Sequence, residues 1–199
     1  MKNWSFKKWN TVLGWFLFAI ALITYLSTIE HSLSFWDCGE YISSAVKLEV
    51  THAPGAALFQ IMGAVASIFA LGNAEHYSIV INAMSALFSA FTILFLFWTI
   101  THFLRRLLHK DVEEMTKHEE ISILFAGVIG ALCFTFSDTF WFSAVEGEVY
   151  AMASMFIALM VWLITKWENE YKAVDSERWI ILIFFIIGLS VGVHMMCML

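Results

Sequence analysis

Proline occurs once in 199 residues, glycine ten times, and charged side chains make up only 14% of the chain. So little proline and glycine excludes collagen-like and low-complexity classes. Charge this sparse, against about 25% in an ordinary soluble domain, excludes intrinsic disorder and argues against a water-soluble fold. Basic residues are few as well: 11 Lys and Arg against 17 Asp and Glu give a net charge of -6. No basic stripe with interleaved aromatics occurs, so nucleic acid is not an expected partner. Cys38, Cys133 and Cys197 are an odd number without metal-type spacing, which indicates neither a disulfide framework nor a zinc site. What the chain has in excess is apolar surface, with 60% hydrophobic and 17% aromatic residues and a mean hydropathy of +0.76. The expected class is all-α, a polytopic bundle of transmembrane helices.

Residues 11–29 form a run of 19 residues without a charge, close to the length that spans a hydrocarbon core of about 30 Å. Lys2, Lys7 and Lys8 precede it, and no small-x-small cleavage site follows, so it reads as an anchor rather than a signal peptide. The same test gives spans at 78–104, 121–141, 149–167 and 179–199, five in all. The last stops at Leu199 without a polar flank, as expected of a piece of a longer protein. Residues 53–71 are long enough to cross but are diluted by Gly55, Gln60, Gly63 and Ser67. Charge decides between the two topologies. If 53–71 stays on one side, Lys2, Lys7, Lys8, Arg105, Arg106, Lys110, Lys117, Lys166, Lys172 and Arg178 share the cytoplasm and only Lys47 lies outside. That distribution obeys the positive-inside rule. Residues 53–71 are therefore expected to form a juxtamembrane or re-entrant helix within one outer loop, 30–77, with the N-terminus cytoplasmic.

This topology gathers carboxylates and histidines on the outer side. Asp37 and Glu40, three apart, share a face of a short helix expected to run to Val50. Such a pair can hold a general base at neutral pH, or it can be an N-cap with its partner at N3. His52 precedes Pro54, which suits the first turn of the juxtamembrane helix; His52 either orients a phosphate or carboxylate or is structural. Ser143 and Glu146 read as a capping box opening the fourth span, whereas Glu148, just inside that span, has no such role and is a functional candidate. His194, about 22 Å along the last span, falls within the hydrocarbon region and faces the bundle interior, as a site residue or as a neutral packing histidine. An ion- or proton-coupled transporter subunit would use Glu148 and His194 as a relay. A structural anchor for an outer domain would need neither.

Four stretches carry a family resemblance: Phe-Trp-Asp-Cys-Gly-Glu-Tyr at 35–41, Lys-Leu-Glu-Val-Thr-His-Ala-Pro-Gly-Ala at 47–56, Phe-Ser-Asp-Thr-Phe-Trp-Phe-Ser-Ala-Val-Glu-Gly-Glu-Val-Tyr-Ala at 136–151 and Gly-Leu-Ser-Val-Gly-Val-His at 188–194. Together they resemble the bacterial family called domain of unknown function 2723, or glycosyltransferase family 117, related to the GT-C protein O-mannosyltransferases. Ala53 stands where the mannosyltransferase pattern has a second proline. The resemblance implies transfer of a mannose-like sugar from a polyprenyl-phosphate donor to a protein or glycan hydroxyl, on the extracytoplasmic side of a bacterial inner membrane. It makes Asp37 the catalytic base, with Glu40 beside it holding donor or acceptor, and brings Glu146 and Glu148 in as a second acidic motif. Lys47 and His52 become candidates to meet the leaving phosphate, and His194 joins the substrate-binding set. A divalent cation, Mg2+ or Mn2+, if used, would sit on Asp37, Glu146 and Glu148, since such ions favour carboxylate oxygens.

Overall fold

The computed structural model describes residues 5–108 and 114–198. Lys2, Lys110 and Leu199, which entered the reading above, lie outside the described residues. Among the described residues eight α-helices follow one another: α1 Phe6–Ser27, α2 Cys38–Lys47, α3 Ala57–Ser67, α4 Tyr77–Leu107, α5 Lys117–Thr135, α6 Asp138–Ala144, α7 Val149–Glu170 and α8 Glu177–Val191. Short 3-10 turns lie at Ile68–Ala70, Ala74–His76 and Met195–Met198. The all-helical bundle is the expected class, and among the described residues no strand is formed.

α4 is the central column. At about 1.5 Å per residue its 31 residues reach about 46 Å, and it packs against α1, α5 and α7. Small side chains make the close approach possible: Ser85, Ala86, Ser89 and Ala90 are all fully buried. Two apolar cores lie on either side of it. One joins α4 to α1, α5 and α6 through Leu17, Tyr25, Ile93, Phe97 and Phe140. The other joins its opening turns to α2, α3 and α7 through Tyr41, Phe59, Ile81 and Met152, and supports the acidic loops.

The ends of the bundle differ in charge. Main-chain and side-chain bonds gather the end of α1, the start of α4 and the start of α7 at one end: Asn82 Nδ2 donates to the Glu30 carbonyl at 2.7 Å, Ser78 to that of His31 at 2.9 Å, and Glu30 N–H to that of Val145 at 3.2 Å. The opposite end carries Arg105, Arg106 and Lys166, with Arg106 and His102 bonded to Glu168. The chain thus leaves α1 and enters α4 at the same end, and α3 with its 3-10 extension, Ala57–Ala70, is shorter than a spanning helix.

Among the described residues, four helices are long and apolar enough to cross a membrane: Phe6–Ser27, Ala74–Leu107, Lys117–Thr135 and Val149–Glu170. Several expected boundaries are corrected. The fifth span, 179–199, is helical only through Val191, because the Gly192 carbonyl is taken at 2.7 Å by the N–H of Leu58 in the first turn of α3. One of the orphan donors at a helix start is satisfied in this way, and α8 at 15 residues is about 22 Å long. The span expected at 121–141 breaks after Thr135, where Ser137 takes an extended N-cap conformation and Asp138 enters the first turn of α6. Pro54 does not open α3; Gly55, with a φ of 81°, keeps residues 52–55 in a turn, and the helix starts at Ala57. α2 stops at Lys47 rather than Val50 because Leu48 turns left-handed and the N–H groups of Leu48 and Glu49 return to Ala45 and Ser44.

Candidate functional site

Asp37 occupies the N-cap position of α2, but its side chain makes no capping hydrogen bond. The capping-box alternative is therefore not what the structure holds. The carboxylate is 58% exposed, open to a substrate, and its Oδ2 lies 4.0 Å from His52 Nε2. Glu40, one turn on, does not reach back to cap the helix either. It clasps the following loop, accepting the His52 main-chain N–H at 2.6 Å on Oε1 and facing His52 Nδ1 at 3.0 Å with Oε2. These bonds hold Glu40 below the usual carboxylate range and, with the nearby charges of Glu40 and Asp37, raise the imidazole above its own. Tyr41 forms the floor: it is buried, its ring stands edge-on to His52 and Phe59, and burial followed by the Asp37 charge pushes its hydroxyl up to about 12.

The second acidic motif lies behind this clasp. Glu146 and Glu148 are 3% and 5% exposed, an expensive state for carboxylates. Glu146 accepts the Ser34 hydroxyl at 2.5 Å, which fixes the loop leading to Asp37. Ser143, the expected capping partner, instead bonds the Thr139 carbonyl within α6, and the N-cap of α7 is Glu148. The box does occur elsewhere, at Thr116 and Glu119, where it opens α5. Burial, then the charges of Glu146 and Asp37, push Glu148 up to about 7, partly offset by the Asp37 main-chain N–H. Glu146 is raised too, by burial.

The remaining candidates divide. His194 lies past the end of α8, not within a spanning helix as expected, with its ring 5.6 Å from that of Tyr150, two residues after Glu148. It shares the acidic end of the bundle. Lys47 does not join the group: it is exposed in the last turn of α2, about 15 Å along the helix from Asp37. Among the described residues, the groups placed for a common cation are Asp37, Glu40 and His52, whose ligand atoms lie within 4.8 Å of one another. Glu146 and Glu148 are not in that set.

Ser34, Asn82, Gly147 and Tyr150 were not legible as site residues. Asn82 is completely buried one turn into α4, ties down the Glu30 carbonyl, and leaves its own Oδ1 without a partner among the described residues. A polar residue in the opening turns of an apolar span was the available signal. Gly147 sits against it, since a Cβ there would meet Asn82 Oδ1 at 2.9 Å and the side chains of Ile42 and Ile81 at 3.1 Å. An exposed carboxylate beside an imidazole, backed by a buried acid poised near neutrality, is an arrangement suited to accepting a proton.

Residues 37–199 match the family described as "Protein O-mannosyl-transferase TMEM260 N-terminal domain". Among curated proteins, the chain is 28% identical over 163 residues to "Protein O-mannosyl-transferase tmem260" of Dictyostelium discoideum, covering 82% of this chain and 18% of that protein. It is 26% identical over 175 residues to "Protein O-mannosyl-transferase TMEM260" of Mus musculus, covering 87% and 22% respectively. The chain thus spans about a fifth of the length of these relatives. No solved structure matches it significantly.

Proposed function

The chain belongs to the TMEM260 N-terminal domain family, and from that membership we propose that it is the N-terminal part of a membrane glycosyltransferase moving a mannose-like sugar from polyprenyl phosphate onto a protein or glycan hydroxyl. The reading takes the enzyme as GT-C-like and inverting, in line with the resemblance to glycosyltransferase family 117, with the acidic end outside the cytoplasm. The bacterial inner membrane is the setting that resemblance suggests; the two relatives named above are eukaryotic.

The observation that carries it is Asp37, an exposed carboxylate unused for capping and set between His52 and the buried Glu148. In the reaction the acceptor oxygen attacks the anomeric carbon as its proton passes to Asp37. The bond from that carbon to the phosphate oxygen breaks, and polyprenyl phosphate leaves with the electron pair. In this reading His52, held by Glu40, meets the leaving phosphate, and Lys47 is too distant to do so. Glu40 is thus a positioning residue in this reading. A divalent cation, Mg2+ or Mn2+, would find its donors in Asp37, Glu40 and His52 and would neutralise phosphate charge. A relay through Glu148 and His194 gains no support, because both lie at one end of the bundle.

The test is transfer by the full-length protein, reconstituted with a polyprenyl-phosphate mannose and a hydroxyl-bearing peptide. Asp37→Asn should lower turnover by about 10²- to 10⁴-fold, the usual worth of a general base, with membrane insertion unchanged. Turnover near that of the parent removes Asp37 from the base role.

A further inference from the structure

A cavity lies at the basic end, away from the acidic site, between the start of α1 and the ends of α4 and α7. Its volume is about 690 Å³, within the range of a small-molecule site. Three cations line it, one from each helix: Lys7, Arg105 and Lys166. Among the described residues, none of the three is paired with a carboxylate within 4.0 Å. The one carboxylate in the wall, Glu170, is bonded to Arg178 and Trp179, and nearby Glu168 is bonded to His102 and Arg106. Positive charge therefore converges on a space whose neighbouring acids are already engaged.

The rest of the wall is amphipathic. Trp98 and Trp162 lie with ring centroids 5.4 Å apart, and the Lys166 ammonium stands 5.0 Å from the centre of the Trp162 ring. Asn10 also lines the cavity, and its side-chain oxygen is buried with no partner among the described residues. Trp98 and Trp162 stand two to three turns before the ends of α4 and α7, whereas Lys7, Arg105 and Lys166 stand nearer the helix ends, so the cavity runs from the basic surface of the bundle down beside its apolar part. Convergent cations suit a phosphate, the unpartnered Asn10 oxygen can accept from a headgroup hydroxyl, and the aromatic wall suits an acyl chain, which together match a hydroxyl-bearing phosphodiester lipid.

We propose that this cavity binds the headgroup of one anionic phospholipid, with the phosphate between Lys7, Arg105 and Lys166. Each cation near a membrane surface favours an anionic lipid by roughly fivefold. The proposal does not depend on the transfer reaction, since it concerns the opposite end of the bundle.

The experiment is native mass spectrometry of the full-length protein, stripped of lipid and then offered phosphatidylglycerol, phosphatidylcholine or inorganic phosphate. One phosphatidylglycerol per chain should be retained in preference to phosphatidylcholine. Lys7→Gln, a change at an exposed side chain, should weaken retention about fivefold, and Lys7→Gln with Lys166→Gln about 25-fold, as two such contributions multiply. Full displacement by inorganic phosphate at comparable concentration overturns the lipid assignment in favour of a free phosphate site. Unchanged phosphatidylglycerol retention in Lys7→Gln overturns the proposal outright, whether or not the double variant folds.

Discussion

Asp37 and Glu148 are two carboxylates of the same loop system in opposite environments. One is exposed and faces His52; the other is buried and pushed up to about 7. Environments that separate two acids in this way usually separate their roles. An ionised Glu148 adds a negative charge beside the place where the acceptor gives up its proton, so removal of that proton is favoured once Glu148 has lost its own. Transfer should therefore rise with pH through about 7. Glu148→Gln, fixed in the neutral form, should lose that step and stay at the low-pH level, several-fold down. A step that survives in Glu148→Gln but disappears in His52→Gln would assign it to the imidazole instead. The stability effect has the opposite direction. A carboxylate whose folded pKa is raised favours the folded state most below its unfolded value, and this contribution is lost as pH rises through about 7. The spacing of Asp37 and Glu40 was readable in the sequence, and so was the oddity of Glu148. The Glu40 clasp on His52 was not, because it joins residues 12 apart through a turn whose closure depends on Gly55.

At the scale of elements, the site depends on how closely α4 can approach the turn before α7. Gly147 is the point of contact, wedged among Asn82, Ile42 and Ile81, which belong to α4 and α2. A methyl group there has to displace a buried amide and two branched side chains, and overpacking of this kind costs about 1–3 kcal/mol. Gly147→Ala should accordingly lower the thermal unfolding midpoint. It should also reduce transfer more than the loss of folded protein explains, since Ser34 and Glu146 lose the register that positions Asp37. Gly188→Ala, where a Cβ meets nothing within 4 Å, is the control and should be near neutral. Equal effects of the two changes would show that the wedge is unimportant. The apolar runs made four spans legible, yet their interruptions were hidden. Hydropathy does not distinguish a helix that continues through 136–137 from one that stops and restarts, and the stop of α8 is fixed by Leu58, more than 130 residues earlier in the chain.

For the whole molecule, the two ends of the bundle are chemically distinct, and the proposed reaction depends on which end faces out. Asp37, Glu146, Glu148 and His194 meet at one end although 157 residues separate the first from the last, because α1, α4, α5, α7 and α8 alternate direction and α3 never leaves that end. The proposed orientation puts the other end, where Arg105, Arg106 and Lys166 lie, in the cytoplasm. Impermeant thiol labelling of intact cells expressing the full-length protein tests this orientation. Cys38 and Cys197 are buried and report nothing, while exposed Cys133 is replaced by Ser. Single cysteines at exposed Asn73 and exposed Lys172 then mark the two ends. Asn73→Cys should label and Lys172→Cys should label only after the membrane is opened. The reverse pattern turns the acidic end inward, where an acceptor already exported could not reach Asp37, and the transfer reaction as proposed would have no topological route.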